Sequence, residues 1–206
     1  GPHPLCDDLI PKANPLQVAA VKKYPQKIRL CPKCLTAHQL MPVEKELLFK
    51  SDYKYRSGLT KDVVSGLEEL VDAVVRRTTL TESSIVLDVG CNDGSLLQIF
   101  KSKTGATTVG VDPTDAVREA SGSIDHGIQA FFNEEVAQQI LDRFGTPDVI
   151  TFTNVFAHIE NLQNLLEAVK LLMSEETLLV IENHYLGSIL EAKQFDTFYH
   201  EHPRTY

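Results

Sequence analysis

The chain has 206 residues, of which 43% are hydrophobic and 23% are charged, so it suits one α/β domain, alone or with a small appendage, and not a disordered segment. Its formal net charge of −8 repels phosphate backbones, which disfavours a nucleic acid as partner and leaves a small molecule as the expected substrate. No apolar run is long enough to cross a bilayer and no signal peptide is visible, so we expect a cytoplasmic location without a membrane partner.

Residues 1–45 are rich in proline and carry paired side chains that bind metals. The candidate ligands form an H-x₂-C pair and a C-x₂-C pair: His3, Cys6, Cys31 and Cys34. Two such chelating turns are what tetrahedral zinc requires, and a segment with little core needs such a cross-link. We therefore predict a small zinc-binding module with a structural Zn²⁺, in which His38 can substitute for one ligand. A redox-active C-x₂-C pair is the alternative, although no thioredoxin-like strand and helix flank it.

Residues 46–80 are predicted to form a helical lead-in to the main domain. Apolar residues between Thr60 and Arg77 recur with the helical period, which is typical of an amphipathic helix. Thr60 stands where an N-cap residue is expected.

Residues 81–206 alternate between short apolar runs and amphipathic stretches. The apolar runs predict strands at residues 84–90, 107–112, 127–132, 148–154 and 177–183. The amphipathic stretches predict helices at residues 95–103, 114–121, 134–143, 161–173 and 185–194. This alternation predicts right-handed crossovers, so we expect a doubly wound, mostly parallel sheet with a Rossmann-like fold.

The turn after the first predicted strand, GCNDG at residues 90–94, lies where doubly wound sheets bind ligands. Gly90 and Gly94 allow positive φ angles and the close approach of a ligand. A dinucleotide fold would carry a third glycine in the next helix, and the acidic Asp88 would repel a pyrophosphate. Asp88 instead suits a cofactor with a cationic amino-acid end. Asp112, about 20 residues beyond the first glycine, can bind ribose hydroxyls.

These residues resemble the glycine-rich motif of the class I S-adenosylmethionine (SAM) methyltransferases, which is matched by DVGCNDG at residues 88–94. The resemblance implies SAM as the cofactor. The candidate SAM-binding residues are Asp88, Gly90, Asn92, Gly94, Asp112, Phe132, Asn133, Asn154 and His158. The adenine is expected near Phe131–Asn133, although both phenylalanines also suit the core. His158 is expected above the cofactor, beyond the fourth strand, with capping of the next helix as its alternative.

Three further segments resemble one family. YKYRS (53–57), NVFAHI (154–159) and FDTFYHEH (195–202) match elements of the bacterial sugar C-methyltransferases, which act on nucleotide-linked keto-deoxysugars. The resemblance runs from residue 3 to residue 206, zinc knuckle included. It departs at ENHY (182–185), where the family has an E-V/F-P-Y run, and after YHEH, where the family has a second domain. We therefore expect either a truncated chain or a relative without the sugar-binding half.

The resemblance implies methylation of the carbon beside a ketone, through an enolate. His202 is then the base that removes the α-proton, and Glu201 orients it or binds substrate hydroxyls. Tyr199 and Tyr53 would hydrogen-bond the sugar or the enolate oxygen. For the YHEH segment the alternative is a metal-binding pair of His200 and His202. For the whole chain the alternatives are a SAM-dependent RNA or RNA-cap methyltransferase with a zinc docking module, and a non-enzymatic interaction domain.

Overall fold

The computed structural model describes residues 1–6 and 20–206, apart from the side chain of Phe195. The chain divides by its internal contacts into two compact units. One unit is continuous and comprises residues 50–182, and it is called the sheet unit below. The other, called the terminal unit, joins residues 1–49 to residues 183–206.

This division differs from the predicted domains, which were a zinc-binding module at 1–45, a lead-in at 46–80 and a SAM-binding domain at 81–206. In the structure, residues 183–206 group with the N-terminal residues. The physical reason is a strand pairing, in which Arg204 lies opposite His38. Sequence periodicity carries no information about such a long-range pair.

The strands and helices are numbered along the chain. The described residues form ten strands: β1 (Pro2–His3), β2 (Tyr24–Pro25), β3 (Ile28–Leu30), β4 (Ala37–Gln39), β5 (Ile85–Val89), β6 (Thr107–Asp112), β7 (His126–Gln129), β8 (Val149–Thr153), β9 (Leu178–Glu182) and β10 (Arg204–Thr205). The α-helices are α1 (Lys45–Leu48), α2 (Lys61–Val75), α3 (Ser95–Thr104), α4 (Ala116–Glu119), α5 (Glu134–Phe144), α6 (Leu162–Leu172) and α7 (Leu186–Glu191). Short 3₁₀ turns occur at Ser57–Leu59, Phe156–His158 and Phe195–Thr197.

The sheet unit is built on a five-stranded sheet in the order β7-β6-β5-β8-β9. All four strand pairs are parallel. The first strand along the chain, β5, is central, and the strand order reverses between β5 and β8. Doubly wound sheets bind ligands beside such a reversal, outside the carboxyl ends of the strands. The predicted doubly wound, parallel α/β sheet is therefore confirmed.

Helices cover both faces of this sheet because side chains alternate between the faces along each strand. On one face, α2 and α3 bury Val71, Leu97 and Phe100 completely. On the other face, α5 and α6 bury Ile140 and Leu172 completely. Each such side chain stabilises the fold by about 1.5–3 kcal/mol, so this core holds the strand ends in fixed positions.

Most observed elements begin and end within two residues of the predicted bounds, but β7 and α7 each end three residues earlier than predicted. Two further differences are informative. Helix α2 follows Thr60 as predicted, but the Thr60 side chain makes no capping hydrogen bond. Helix α4 is only four residues long, whereas the sequence predicts residues 114–121. The helix begins only at Ala116, because the N–H and the hydroxyl of Thr114 both donate hydrogen bonds to Asp112. None of the described helices has the length and apolarity that a membrane crossing requires.

The terminal unit contains two small antiparallel sheets and little apolar core. Strand β1 pairs with β2, and β4 lies between β3 and β10. Its buried apolar cluster is small and consists of Leu5, Val43 and Leu48, with Tyr24 and Phe49 packed beside them. Hydrogen bonds between strands therefore contribute more to the structure of this unit than apolar burial does.

Candidate active site

The glycine-rich turn joins β5 to α3 through three residues in the left-handed region, Gly90 (φ 77°), Asn92 (φ 51°) and Gly94 (φ 76°). Glycine and asparagine adopt such angles at low cost. A Cβ at Gly90 would lie 2.3 Å from a methyl group of Val155, and one at Gly94 would lie 2.9 Å from the Ala120 Cβ. Neighbouring side chains thus occupy the positions that a Cβ would need at Gly90 and Gly94, so only glycine fits there. The glycines serve the shape of the turn.

Asp112 ends β6 and buries its carboxylate beside this turn, with 6% of the residue exposed. Its Oδ2 accepts a hydrogen bond from the Asn92 N–H at 2.9 Å. Its Oδ1 accepts two from Thr114, at 2.8 Å from the N–H and 2.6 Å from the hydroxyl. A carboxylate oxygen can accept two hydrogen bonds, so Oδ2 retains the capacity for one hydroxyl donor.

Asp88 lies inside β5 and is 3% exposed. Its Oδ1 accepts a hydrogen bond of 2.6 Å from the hydroxyl of Thr151, its partner across the β5-β8 pair. Burial raises the pKa of Asp88 to about 7, the Thr151 bond opposes this, and the charge of Asp112 adds to it. The ends of β5 and β6 therefore hold two carboxylates of like charge, which a cation would stabilise.

The tyrosine strap, residues 53–59, is fastened to the glycine-rich turn through its backbone. The Asn92 side chain accepts a hydrogen bond from the Ser57 N–H at 3.1 Å and donates one to the Tyr55 carbonyl at 3.0 Å. Asp93 Oδ2 accepts the N–H of the next strap residue at 2.9 Å. The predicted cofactor residue Asn92 thus uses its side chain to hold the strap.

Arg56 fastens the strap at a second point. Its Nε and Nη2 bind both carboxylate oxygens of Glu119, each at 2.7 Å, and its Nη1 donates to the carbonyls of Tyr53 and Tyr55. This ion pair lowers the pKa of Glu119 and raises that of Arg56. Sequence reasoning singled out the tyrosines of YKYRS and missed Arg56, although an arginine within a motif was a signal available to it.

The side chains predicted near the adenine follow β7. Phe132 packs edge-on against Phe152, with ring centroids 6.3 Å apart, so it belongs to the core under α5 and α6. Asn133 caps α5, since its Oδ1 accepts a hydrogen bond of 2.9 Å from the Val136 N–H. Both residues have a structural role, and their contact with adenine stays a prediction.

Asn154 and His158 follow β8, beside the reversal of strand order. Asn154 has a φ of 56° and donates hydrogen bonds to Glu182 from its backbone N–H at 2.8 Å and from its side chain at 3.0 Å. His158 lies half-buried in a 3₁₀ turn. The alternative role of His158 as a helix cap is wrong, because Asn161 caps α6 with a bond from the Asn164 N–H.

The histidine cluster, which consists of His184, Tyr199 and His202, lies in the terminal unit. The ring centroid of His202 is 4.2 Å from that of Tyr199 and 4.7 Å from that of His184. The Gln39 amide donates to the carbonyls of Tyr199 and His202. Burial and, to a smaller extent, the nearby His184 together lower the pKa of His202 to about 4, so His202 is neutral at pH 7. His184 lies in ENHY, where the sequence departs from the family pattern, so the resemblance gave no signal for it.

The other residues of YHEH are buried as well. His200 is 2% exposed, its Nε2 lies 3.3 Å from the Tyr24 carbonyl, and its ring meets the Tyr24 ring edge-on. Because His200 and His202 contact different partners, the alternative of a metal-binding pair is not supported. Glu201 is 6% exposed, so the predicted orienting carboxylate is a buried group.

The predicted zinc ligands are brought together only in part. Cys31 and Cys34 lie in the turn between β3 and β4, with the Cys34 Sγ 3.7 Å from the His38 Nε2. The bond to His38, with smaller contributions from Thr36 and Cys31, lowers the pKa of Cys34 to about 6. Over residues 1–6 and 20–206, no group of three or more His, Cys, Asp or Glu side chains is arranged to hold a metal. The structure therefore does not support the predicted ligand set, His3, Cys6, Cys31 and Cys34.

Sequence comparison identifies the family of this chain. Residues 61–206 match the family described as a methyltransferase domain, and these residues include the glycine-rich turn, Asp112 and YHEH. The chain belongs to this methyltransferase family. The predicted enzyme class is therefore confirmed.

Individual relatives agree with this assignment. The chain is 31% identical over 182 residues to the C-methyltransferase NovU of Streptomyces niveus, covering 87% of this chain and 42% of NovU. It is 26% identical over 142 residues to pavine N-methyltransferase of Thalictrum flavum subsp. glaucum, covering 64% of this chain and 39% of that enzyme. The chain thus spans less than half the length of these curated relatives.

One solved structure supports the fold assignment. It is a SAM-dependent methyltransferase from Anabaena variabilis, with a TM-score of 0.50, 18% sequence identity, and coverage of 64% of this chain and 60% of that one. A likeness at this identity concerns the fold alone. With the family match, it identifies the sheet unit as the Rossmann-like fold of class I methyltransferases.

Proposed function

We propose that this methyltransferase domain binds SAM at the glycine-rich turn and methylates the carbon beside the ketone of a nucleotide-linked keto-deoxysugar. The observation that carries the cofactor assignment is the buried pair Asp88 and Asp112, at the carboxyl ends of β5 and β6. Two like-charged, desolvated carboxylates favour a ligand that brings positive charge and hydroxyl donors. SAM has both, in its sulfonium and ammonium groups and in its ribose.

The residues present fit SAM. Asp112 Oδ2 can accept a ribose hydroxyl, and Asp88 can stabilise the cationic methionine end of the cofactor. Asn92 fixes the turn between them through its N–H bond to Asp112. When bound, SAM supplies an electrophilic methyl group. The chain itself supplies a preorganised surface, since the carboxylates are already oriented by hydrogen bonds before any ligand arrives.

The acceptor assignment rests on two supports. NovU, which is similar over 87% of this chain, is a C-methyltransferase. The segments YKYRS, NVFAHI and FDTFYHEH also resemble those of sugar C-methyltransferases. Carbon methylation needs a base, and a neutral imidazole is suited to that step.

Within this proposal His202, the base that the resemblance implies, removes the α-proton, and its ring is unprotonated at pH 7. Tyr199 contacts the His202 ring and would hydrogen-bond the sugar, as would Tyr53. Glu201 would orient His202 or bind substrate hydroxyls. The structural zinc stays a prediction from the sequence.

The proposal is tested by titrating the chain with SAM in a calorimeter and then assaying methyl transfer. We expect SAM to bind and nucleotide-linked keto-deoxysugars to be methylated on carbon, with capped RNA unchanged. Methylation of capped RNA instead would favour the alternative RNA methyltransferase. Absence of SAM binding would overturn the cofactor assignment and leave a non-enzymatic domain.

A further inference from the structure

We propose that His184 is a second acceptor-binding residue, whose ring nitrogen Nδ1 donates a hydrogen bond to the carbonyl oxygen of the keto acceptor. This inference rests on the proposed function, because it assigns a role in enolate formation. It adds to that function a donor for the developing oxyanion. Nothing in the resemblance to sugar C-methyltransferases suggests it, since ENHY is a point of departure from their pattern.

The first observation is a buried polar atom that lacks a hydrogen bond. The Nδ1 of His184 is shielded from solvent and has no hydrogen-bond partner among the residues that the structure describes. An unsatisfied buried donor or acceptor destabilises the fold. A bound ligand that offers a complementary oxygen would remove this cost.

The second observation is the position of His184 beside the proposed base. Its ring centroid lies 4.7 Å from that of His202, with the ring planes inclined by 48°. A ligand group that reaches the His202 ring therefore lies within a few ångströms of His184.

The third observation is that both rings are carried by a fixed backbone. On one side, the Gln39 amide bonds the carbonyls of Tyr199 and His202, and the His202 N–H bonds the Tyr199 carbonyl at 3.1 Å. On the other side, α7 starts two residues after His184, and the Leu186 N–H bonds the Tyr206 carbonyl at 2.6 Å. Such preorganisation is what an oxyanion-stabilising donor requires.

The chemistry assigns different tasks to the two histidines. His202 takes the proton from the carbon beside the ketone, and the electron pair of that C–H bond forms the C=C bond of the enolate. The π pair of the carbonyl moves to its oxygen, which accepts a hydrogen bond from the His184 Nδ1–H. A neutral imidazole is a competent donor to such an oxygen. The proton on His202 passes to solvent after the carbon has been methylated.

Exchange of the α-proton tests this role without methyl transfer. A nucleoside-diphosphate-linked keto-deoxyhexose is incubated with the full chain in D₂O, without SAM, and loss of its α-proton signal is followed by NMR. His184→Phe keeps the ring contact with His202 but removes the donor, so we expect exchange to slow about a hundredfold. Affinity for S-adenosylhomocysteine should stay unchanged. His126→Phe is the matched control, because His126 also packs on an aromatic ring, that of Phe144, but lies in β7.

His184→Asn separates hydrogen bonding from packing, because its amide nitrogen lies near the position of Nδ1. We expect it to keep most of the exchange activity that His184→Phe loses, and it also covers the case in which His184→Phe does not fold. Fast exchange in His184→Phe with slow exchange in His184→Asn would overturn the inference and leave a packing role.

If the unaltered chain transfers methyl groups but exchanges no α-proton, the inference fails while SAM-dependent transfer stands. If it does neither with any keto sugar, the proposed function fails and takes the inference with it.

Discussion

The glycine-rich turn and the histidine cluster both bury ionisable side chains, but they hold them differently. Asp88 and Asp112 are fixed by short hydrogen bonds, whereas His184 and His202 are fixed by ring contacts and by the backbone around them. Burial favours the neutral form in both places, raising the pKa of Asp88 to about 7 and lowering that of His202 to about 4. The same desolvation therefore favours the protonated form of Asp88 and the unprotonated form of His202.

The strongest test of this contrast removes the base. We expect His202→Gln to reduce methyl transfer about a thousandfold, because general-base catalysis contributes 10²–10⁴-fold. SAM affinity, measured by calorimetry, should not change, because the residues assigned to the cofactor lie at the other region. His126→Gln serves as control. Equal rates for the two variants would show that His202 is not the base.

The next effect concerns the cofactor region. Asp112→Asn replaces one carboxylate oxygen by a donor, which cannot accept hydrogen bonds from the Asn92 N–H or from Thr114. Hydrogen bonds to charged groups are worth about 1.5–3 kcal/mol, so we expect SAM affinity to fall about a hundredfold. Asp142→Asn, at an exposed hydrogen bond on α5, is the matched control. Unchanged SAM affinity in the Asp112 variant would contradict its role at the ribose.

A third effect depends on pH. The folded-state pKa of Asp88, about 7, exceeds its unfolded value of about 3.9, so its contribution to stability is complete below pH 4 and is lost as pH rises through 7. Asp88→Asn keeps the shape without the charge, so urea unfolding of the variant should lack this pH dependence. At pH 8 we expect SAM affinity to fall about tenfold, since a charge contact of about 1.4 kcal/mol is lost. Parallel pH slopes for variant and unaltered chain would show that Asp88 is not the titrating group.

The smallest effect concerns the tyrosine strap. Arg56→Met removes the bonds to Glu119 and to two strap carbonyls, but Glu119 is half exposed, so we expect less than about 1 kcal/mol of lost stability. Amide hydrogen exchange of residues 53–59 should accelerate about threefold to fivefold, because opening of the strap then costs less free energy by about that amount. Arg118→Met is the control, because Arg118 is 72% exposed and its contact with Asp115 is 3.6 Å long. Equal protection of the strap in both variants would contradict the fastening role of Arg56.

The parts of the site that follow local rules could be predicted from the sequence. The spacing of Asp88, Gly90 and Asp112 is typical of a strand, turn and helix followed by a second parallel strand, so it indicated the fold, and contact of these residues with SAM stays a proposal. The order of strands and helices along the chain could also be predicted, because hydrophobic periodicity is a local property of the sequence. These features depend on residues near each other along the chain.

The parts that depend on backbone acceptors and distant pairings were not predictable in this way. The arginine in YKYRS was a visible signal, but its partners, the Glu119 carboxylate and two strap carbonyls, do not follow from the sequence pattern. The ring of His184 contacts that of His202 because of the turns that precede each residue, and hydrophobic periodicity does not predict the geometry of turns. The zinc prediction used spacing alone, and spacing does not guarantee that His3 and Cys6 converge on Cys31 and Cys34.

The pairing of β4 with β10 has a consequence for the order of folding. The sheet unit is continuous in sequence, so it can form as soon as residues 50–182 have left the ribosome. The terminal unit cannot form at that stage, because β4 pairs with β10 only after Arg204 has been synthesised. Closing so long a loop is also entropically costly. During synthesis the N-terminal strands therefore remain without their last partner until the chain reaches residue 205, and a polypeptide stopped earlier would carry the cofactor region without an assembled histidine cluster.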